Sequence, residues 1–98
     1  MTNQSPVVTI DLTEFIEKRL FGDRPHIRDR RVPVASIAYN AYDGEQWSVS
    51  ELAFQFTLTE TQVLAALLYY QEHKEEIDLL EVAEQAKLDE MHRLYGKD

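Results

Sequence analysis

The sequence contains no cysteine. Disulfides, thiolate zinc sites and cysteine nucleophiles are thereby excluded, and a reducing, cytoplasmic setting is expected. Glycine and proline are scarce, three of each in 98 residues, and neither occurs between Gly44 and Gly96. Helices in that half must therefore be ended by caps and packing. No apolar run approaches the roughly 18 residues of a membrane span. Met1–Pro6 lacks the basic and apolar regions of a signal peptide. Positive charge is also missing where it would matter most: Ser48–Tyr70 has Glu51 and Glu60 but no Lys or Arg.

What is present describes one folded domain, residues 1–98, with an apolar fraction of 44% and ten aromatic residues. Net charge is −8 and unevenly spread. Residues 1–42 are close to balanced, whereas residues 43–98 carry thirteen acidic side chains against four basic ones. Nucleic-acid affinity rests largely on cations meeting phosphates, so the acidic half is a poor candidate for it.

Residues 1–10 form an N-terminal segment in which β-branched Val7–Ile10 suits a short strand. Asp11-x-x-Glu14 reads as a capping box, and Leu12, Phe15, Ile16 and Leu20 fall at helical spacing. The expectation is a helix over about 11–20, stopped by Gly22. Residues 22–34 are an arginine-rich arm interrupted by Pro25 and Pro33. Ile27, Val32 and Val34 flank a polar centre there, which suits a hairpin turning near Arg28–Arg30.

Residues 34–73 carry the clearest pattern. A helix over Val34–Tyr42 turns Val34, Ile37, Ala38 and Ala41 inward and ends at Asp43-Gly44. Ser48-x-x-Glu51 and Thr59-x-x-Gln62 are two further capping boxes, each followed by apolar residues at helical spacing. They predict a short helix, a turn at Thr57–Thr59, and a longer helix with Val63, Leu64, Leu67, Leu68 and Tyr70 on its apolar side. This is the layout of a helix-turn-helix. Residues 74–98 read as an acidic C-terminal helix, separated by a break near Lys74–Asp78, where Asp78-x-x-Glu81 offers another box. Ile77, Leu80, Ala83, Met91 and Leu94 lie roughly along one stripe of it. The fold class is thus mainly α, with a short N-terminal β-arm or hairpin.

Two segments could touch nucleic acid. A reading helix would present Thr61 and Gln62 to the major groove, although Gln62 also completes a capping box. Arg24, Arg28, Arg30 and Arg31 could grip phosphates, or else pair with Asp23, Asp29 and the acidic helix. Crowded aromatics, with Tyr69 and Tyr70 unable to point inward equally, suggest a homodimer or partner surface that would include Ile77 and Leu80. The acidic helix itself could dock on a basic partner. His26, His73 and His92 lack metal-ligand spacing, no carboxylate pair stands out, and there is no phosphate loop. No catalytic residue, metal or cofactor is expected, and the chain is read as non-enzymatic.

Gly22–Val34 together with Ser48–Asp78 resembles domain-of-unknown-function family 433. The matching positions are Pro25, Ile27, Arg31, Val32, Val34, Ile37, Glu51, Leu52, Leu58, Thr59 and Val63, then Ala66, Leu67, Tyr69, Tyr70, His73, Glu76, Ile77 and Asp78. One departure stands out, Asp29-Arg30 in place of the family's usual Gly-Thr. The resemblance implies a homeodomain-like helix-turn-helix core behind a β-arm. It also implies a VapB-type antitoxin that pairs with a PIN-type ribonuclease toxin. Operator DNA as a further partner rests instead on the arginine arm, on which any contact with it would depend. The alternative is a homodimeric interaction module of the same fold that does not bind DNA.

Overall fold

A computed structural model describes residues 11–96; the expected strand at Val7–Ile10 lies outside them. The chain forms a two-stranded antiparallel hairpin, β1 (Ile16–Phe21) and β2 (Arg24–Ile27), followed by four helices: α1 (Val34–Tyr42), α2 (Val49–Phe56), α3 (Glu60–Glu72) and α4 (Lys74–Tyr95). The mainly α class with an N-terminal hairpin is as expected.

The expected helix over 11–20 is not formed. Asp11 does cap a turn, accepting from the Thr13 amide at 3.0 Å, but only Leu12–Glu14 coil, as one 3-10 turn. Ile16 then pairs with Ile27 in β1–β2, and both are buried. Burial against a partner strand outweighs a weak local helix preference. Gly22 does not stop a helix; it turns the hairpin. With Phe21 opposite Arg24, Gly22 and Asp23 form a two-residue connection, and Gly22 takes the positive φ of 65° that such turns need. The turn expected near Arg28–Arg30 also exists, but it closes only an isolated bridge between His26 and Pro33. Asp29 adopts φ 62° there. It thus supplies the left-handed conformation that a glycine would take at the family's Gly position, a role Asp tolerates better than most residues.

His26, fully buried, holds this double turn together. Pairing is irregular between Glu17 and Phe21, and such a bulge leaves backbone donors without strand partners. The His26 Nε2 accepts from both of them, the Arg19 and Leu20 amides, each at 3.2 Å. Nδ1 faces the Ile27 carbonyl at 2.7 Å and the Arg30 carbonyl at 3.0 Å. Every polar atom of the ring is therefore used.

Both capping boxes in the helical half form in full, with Ser48–Glu51 starting α2 and Thr59–Gln62 starting α3. The turn between them is made by Thr57 in the left-handed region, φ 56°. One core unites Ile16 and Ile27 of the hairpin, Val34, Ile37 and Ala38 of α1, Leu52 of α2, Val63, Ala66 and Tyr70 of α3, and Ile77 of α4. On α3 the small residues Ala65 and Ala66 are buried, while Leu64 and Leu68, expected inward, are exposed. Alanine at the contact lets helices approach closely.

The helical run does break after α3, at His73 (φ −127°, ψ 30°). The Asp78-x-x-Glu81 box does not cap it. Asp78 lies inside α4, and its carboxylate accepts from Tyr39 at 2.6 Å, Tyr70 at 2.9 Å and Lys74 at 2.8 Å. The expected apolar stripe of α4 is buried only at its start: Ile77 is enclosed and Leu80 half-buried, but Ala83, Met91 and Leu94 are exposed. From Gln85 to Gly96 every residue is exposed, so this half of α4 projects from the body. The radius of gyration, 16.3 Å, exceeds the roughly 13 Å of a compact chain this long.

Candidate nucleic-acid and partner interfaces

The arginine arm is largely occupied by the protein itself. Arg24 makes a two-point pair with Glu81 of α4, at 2.7 and 3.1 Å. Arg28 lies 3.3 Å from Glu17 and donates to the Thr13 carbonyl at 2.6 Å. Arg30 donates to the Thr57 carbonyl at 2.6 Å and the Phe56 carbonyl at 3.1 Å. It thereby caps the C-terminus of α2, where carbonyls lack helical partners and favour a cation. Arg31 is exposed and has no ion pair or side-chain hydrogen bond among the described residues.

Glu17 is the anionic centre of the arm. It receives the Asp29 amide at 3.1 Å and Arg19 at 3.0 Å, with Arg28 beside it. The Asp29 amide above all, then Arg19, holds its carboxyl below the usual range. The four arginines therefore do not converge on one open anion site.

The start of α3 is equally committed. The Gln62 side chain accepts from the Thr59 amide at 2.8 Å, and Glu60 accepts from the Ser50 hydroxyl at 2.8 Å. Thr61 is exposed beside them.

Tyr70 and Ile77 belong to the core and present no surface to a partner. Tyr70 packs edge-on against Tyr39 at 5.8 Å and stacks with Tyr42 at 6.0 Å. Desolvation, then its bond to Asp78, raises its hydroxyl pKa. Tyr69 is half-buried and stacks on His73 at 4.2 Å, and Leu80 is half-buried. The large apolar side chains that do face outward on α4 are others: Leu79, Val82, Leu88, Met91, Leu94 and Tyr95. The Leu79/Val82 spacing of three residues was a visible signal; that no other described element covers the far half of α4 was not. Among the described residues no three His, Asp or Glu side chains stand close enough to hold a metal. No described helix is long and apolar enough to cross a membrane.

Residues 16–70 match the family described as protein of unknown function, DUF433. The chain belongs to that family. The DUF433 match runs from the first residue of β1 to Tyr70 of α3, so the hairpin and the first three helices are the family's common body. It stops short of His73, Glu76, Ile77 and Asp78, where the sequence resemblance continued, and leaves all of α4 outside. No curated protein and no solved structure matches the chain.

Proposed function

We propose that this DUF433 protein is a non-enzymatic, cytoplasmic interaction protein of helix-turn-helix build, in which the body is a scaffold and α4 is the working element. The observation that carries this reading is the outer face of α4. Leu79 and Val82 there are 70% and 67% exposed, beside Glu75 and above Ala83 and Ala86. Exposed apolar residues on an acidic helix suit insertion into a groove of a basic partner, and a net charge of −8 would speed the encounter. An RNA-cutting enzyme must present basic surface to its substrate. A PIN-type ribonuclease toxin is accordingly the partner class proposed, with this chain as its antitoxin.

The form of this reading without operator DNA is favoured, because Arg24, Arg28 and Arg30 are paired within the chain and Gln62 is held in its cap. The test is co-purification with a PIN-type ribonuclease encoded beside the gene, together with an RNA-cleavage assay. A complex that suppresses cleavage, and that Leu79→Glu with Val82→Glu abolishes, is expected. Full inhibition by that double variant would remove α4 from the reading. Separately, upstream DNA should bind weakly and without sequence preference at two salt concentrations; a specific complex lost on Arg31→Ala would restore DNA as a partner.

A further inference from the structure

We infer that the projecting end of α4 is a self-association surface, on which a second copy of the chain lies antiparallel over residues 84–95. The inference does not depend on the basic partner proposed above, because it uses the opposite face of the helix. Leu88, Met91 and Tyr95 follow one another at spacings of three and four, in line with Ile77, Glu81 and Glu84. The stripe that enters the core at Ile77 thus continues past the body with no other described element against it.

Charge selects the occupant. Between Lys74 and Glu84 the helix carries five carboxylates and one ammonium. Between Gln85 and Gly96, Lys87 and Arg93 balance Asp89 and Glu90. This end of α4 offers little to attract a basic partner, and it is where another acidic chain meets least repulsion. Pairing with parallel helices would bring two acidic near halves and two bodies side by side. Antiparallel pairing sends the bodies to opposite ends and opposes the helix dipoles.

In that arrangement Leu88 of each copy meets Met91 of the other, and the Tyr95 hydroxyl can donate to Glu84. Twelve overlapping residues span about 18 Å. Leu88, Met91 and Tyr95 are 42%, 56% and 76% exposed. At on the order of 200 Å² for a large side chain, that is roughly 350 Å² of mostly apolar surface per copy. That is comparable to the largest apolar patch of an ordinary monomer, and two copies together bury about 700 Å² against the ~1,200 Å² of a standard interface. A weak, reversible dimer follows.

Sedimentation of the full chain across about 1–200 µM tests this. Expected is a concentration-dependent shift from the 11.4 kDa species to twice that mass, abolished by Leu88→Glu and, independently, by Met91→Glu. Both sites are exposed, so the circular dichroism of the variants should stay as in the parent. A single monomeric species throughout, or dimers unaffected by both variants, would overturn the proposal. Orientation is read from Leu88→Cys and Met91→Cys chains, which carry no other cysteine. Mixed and oxidised, antiparallel helices give the mixed disulfide, whereas preferential formation of the two like-with-like disulfides would overturn the antiparallel register.

Discussion

Arg24 and Glu81, fifty-seven residues apart, are joined by two parallel hydrogen bonds of 2.7 and 3.1 Å. Their side chains are only 20% and 21% exposed, and the Arg24 guanidinium also lies 5.7 Å from the centre of the Phe21 ring. This fork ties the end of the hairpin to α4, an element beyond the family's common body. Geometry of this kind is stronger than an ordinary surface pair. Glu81→Gln should lower stability by about 1–2 kcal/mol, read from the denaturant midpoint. Arg24→Lys should recover only part of it, since a lysine cannot make both bonds.

Thr57 holds φ 56° at the end of α2, a conformation that costs a β-branched residue energy and glycine very little. Thr57→Gly should therefore raise stability, by about 0.5–1 kcal/mol. Arg30→Ala should lower it by about 1 kcal/mol through loss of the two carbonyl contacts. Thermal unfolding of the two single variants checks both signs.

The ring of His26 satisfies two amides of the bulge and faces two carbonyls of the following turn. His26→Ala leaves these part-buried groups without partners beside a cavity, so a loss of about 2–4 kcal/mol is expected. Amide hydrogen exchange should accelerate first at Arg19 and Leu20. Protection of those two amides unchanged in the variant would contradict the assigned role.

Lys74, then the Tyr39 hydroxyl, holds the Asp78 carboxyl down at about 2, against an ordinary 3.8. A carboxyl depressed on folding binds more protons when unfolded, so its contribution is complete above pH ~4 and fades as pH falls toward 2. The side chain is 35% exposed, and solvent screening reduces the size of the effect. Asp78→Asn should flatten the fall in stability between pH ~4 and 2 relative to the parent chain. The same acid slope in both proteins would show that Asp78 contributes nothing there.

The helical half was legible because its signals are local. Ser48 with Glu51 and Thr59 with Gln62 satisfy one another's backbone groups within four residues, so sequence spacing and structure coincide. Gly44 and the Asp43 beside it end α1 for the same kind of reason. The hairpin was displaced because its decisive partner is remote: Leu12–Leu20 has helical spacing, but Ile16 gains more by pairing with Ile27. Asp78 read as a cap because spacing alone cannot tell a helix start from a carboxylate turned toward Tyr39 and Tyr70 on two other helices. The arginines were legible as a cluster, but their partners were not. A guanidinium reaches across the fold, and whether it meets a phosphate or Glu81 depends on what packing brings beside it.

The sequence by itself thus determined the starts of α2 and α3, the acidic second half, the missing thiol chemistry and the family, all of which depend on neighbours within a turn or on composition. Only the tertiary structure decided that the hairpin precedes the arginine turn, that His26 fills the bulge and that three of the arm's arginines are already engaged. It also decided that α4 leaves the body halfway along. These follow from which distant surfaces bury one another, and that balance is settled across the whole core.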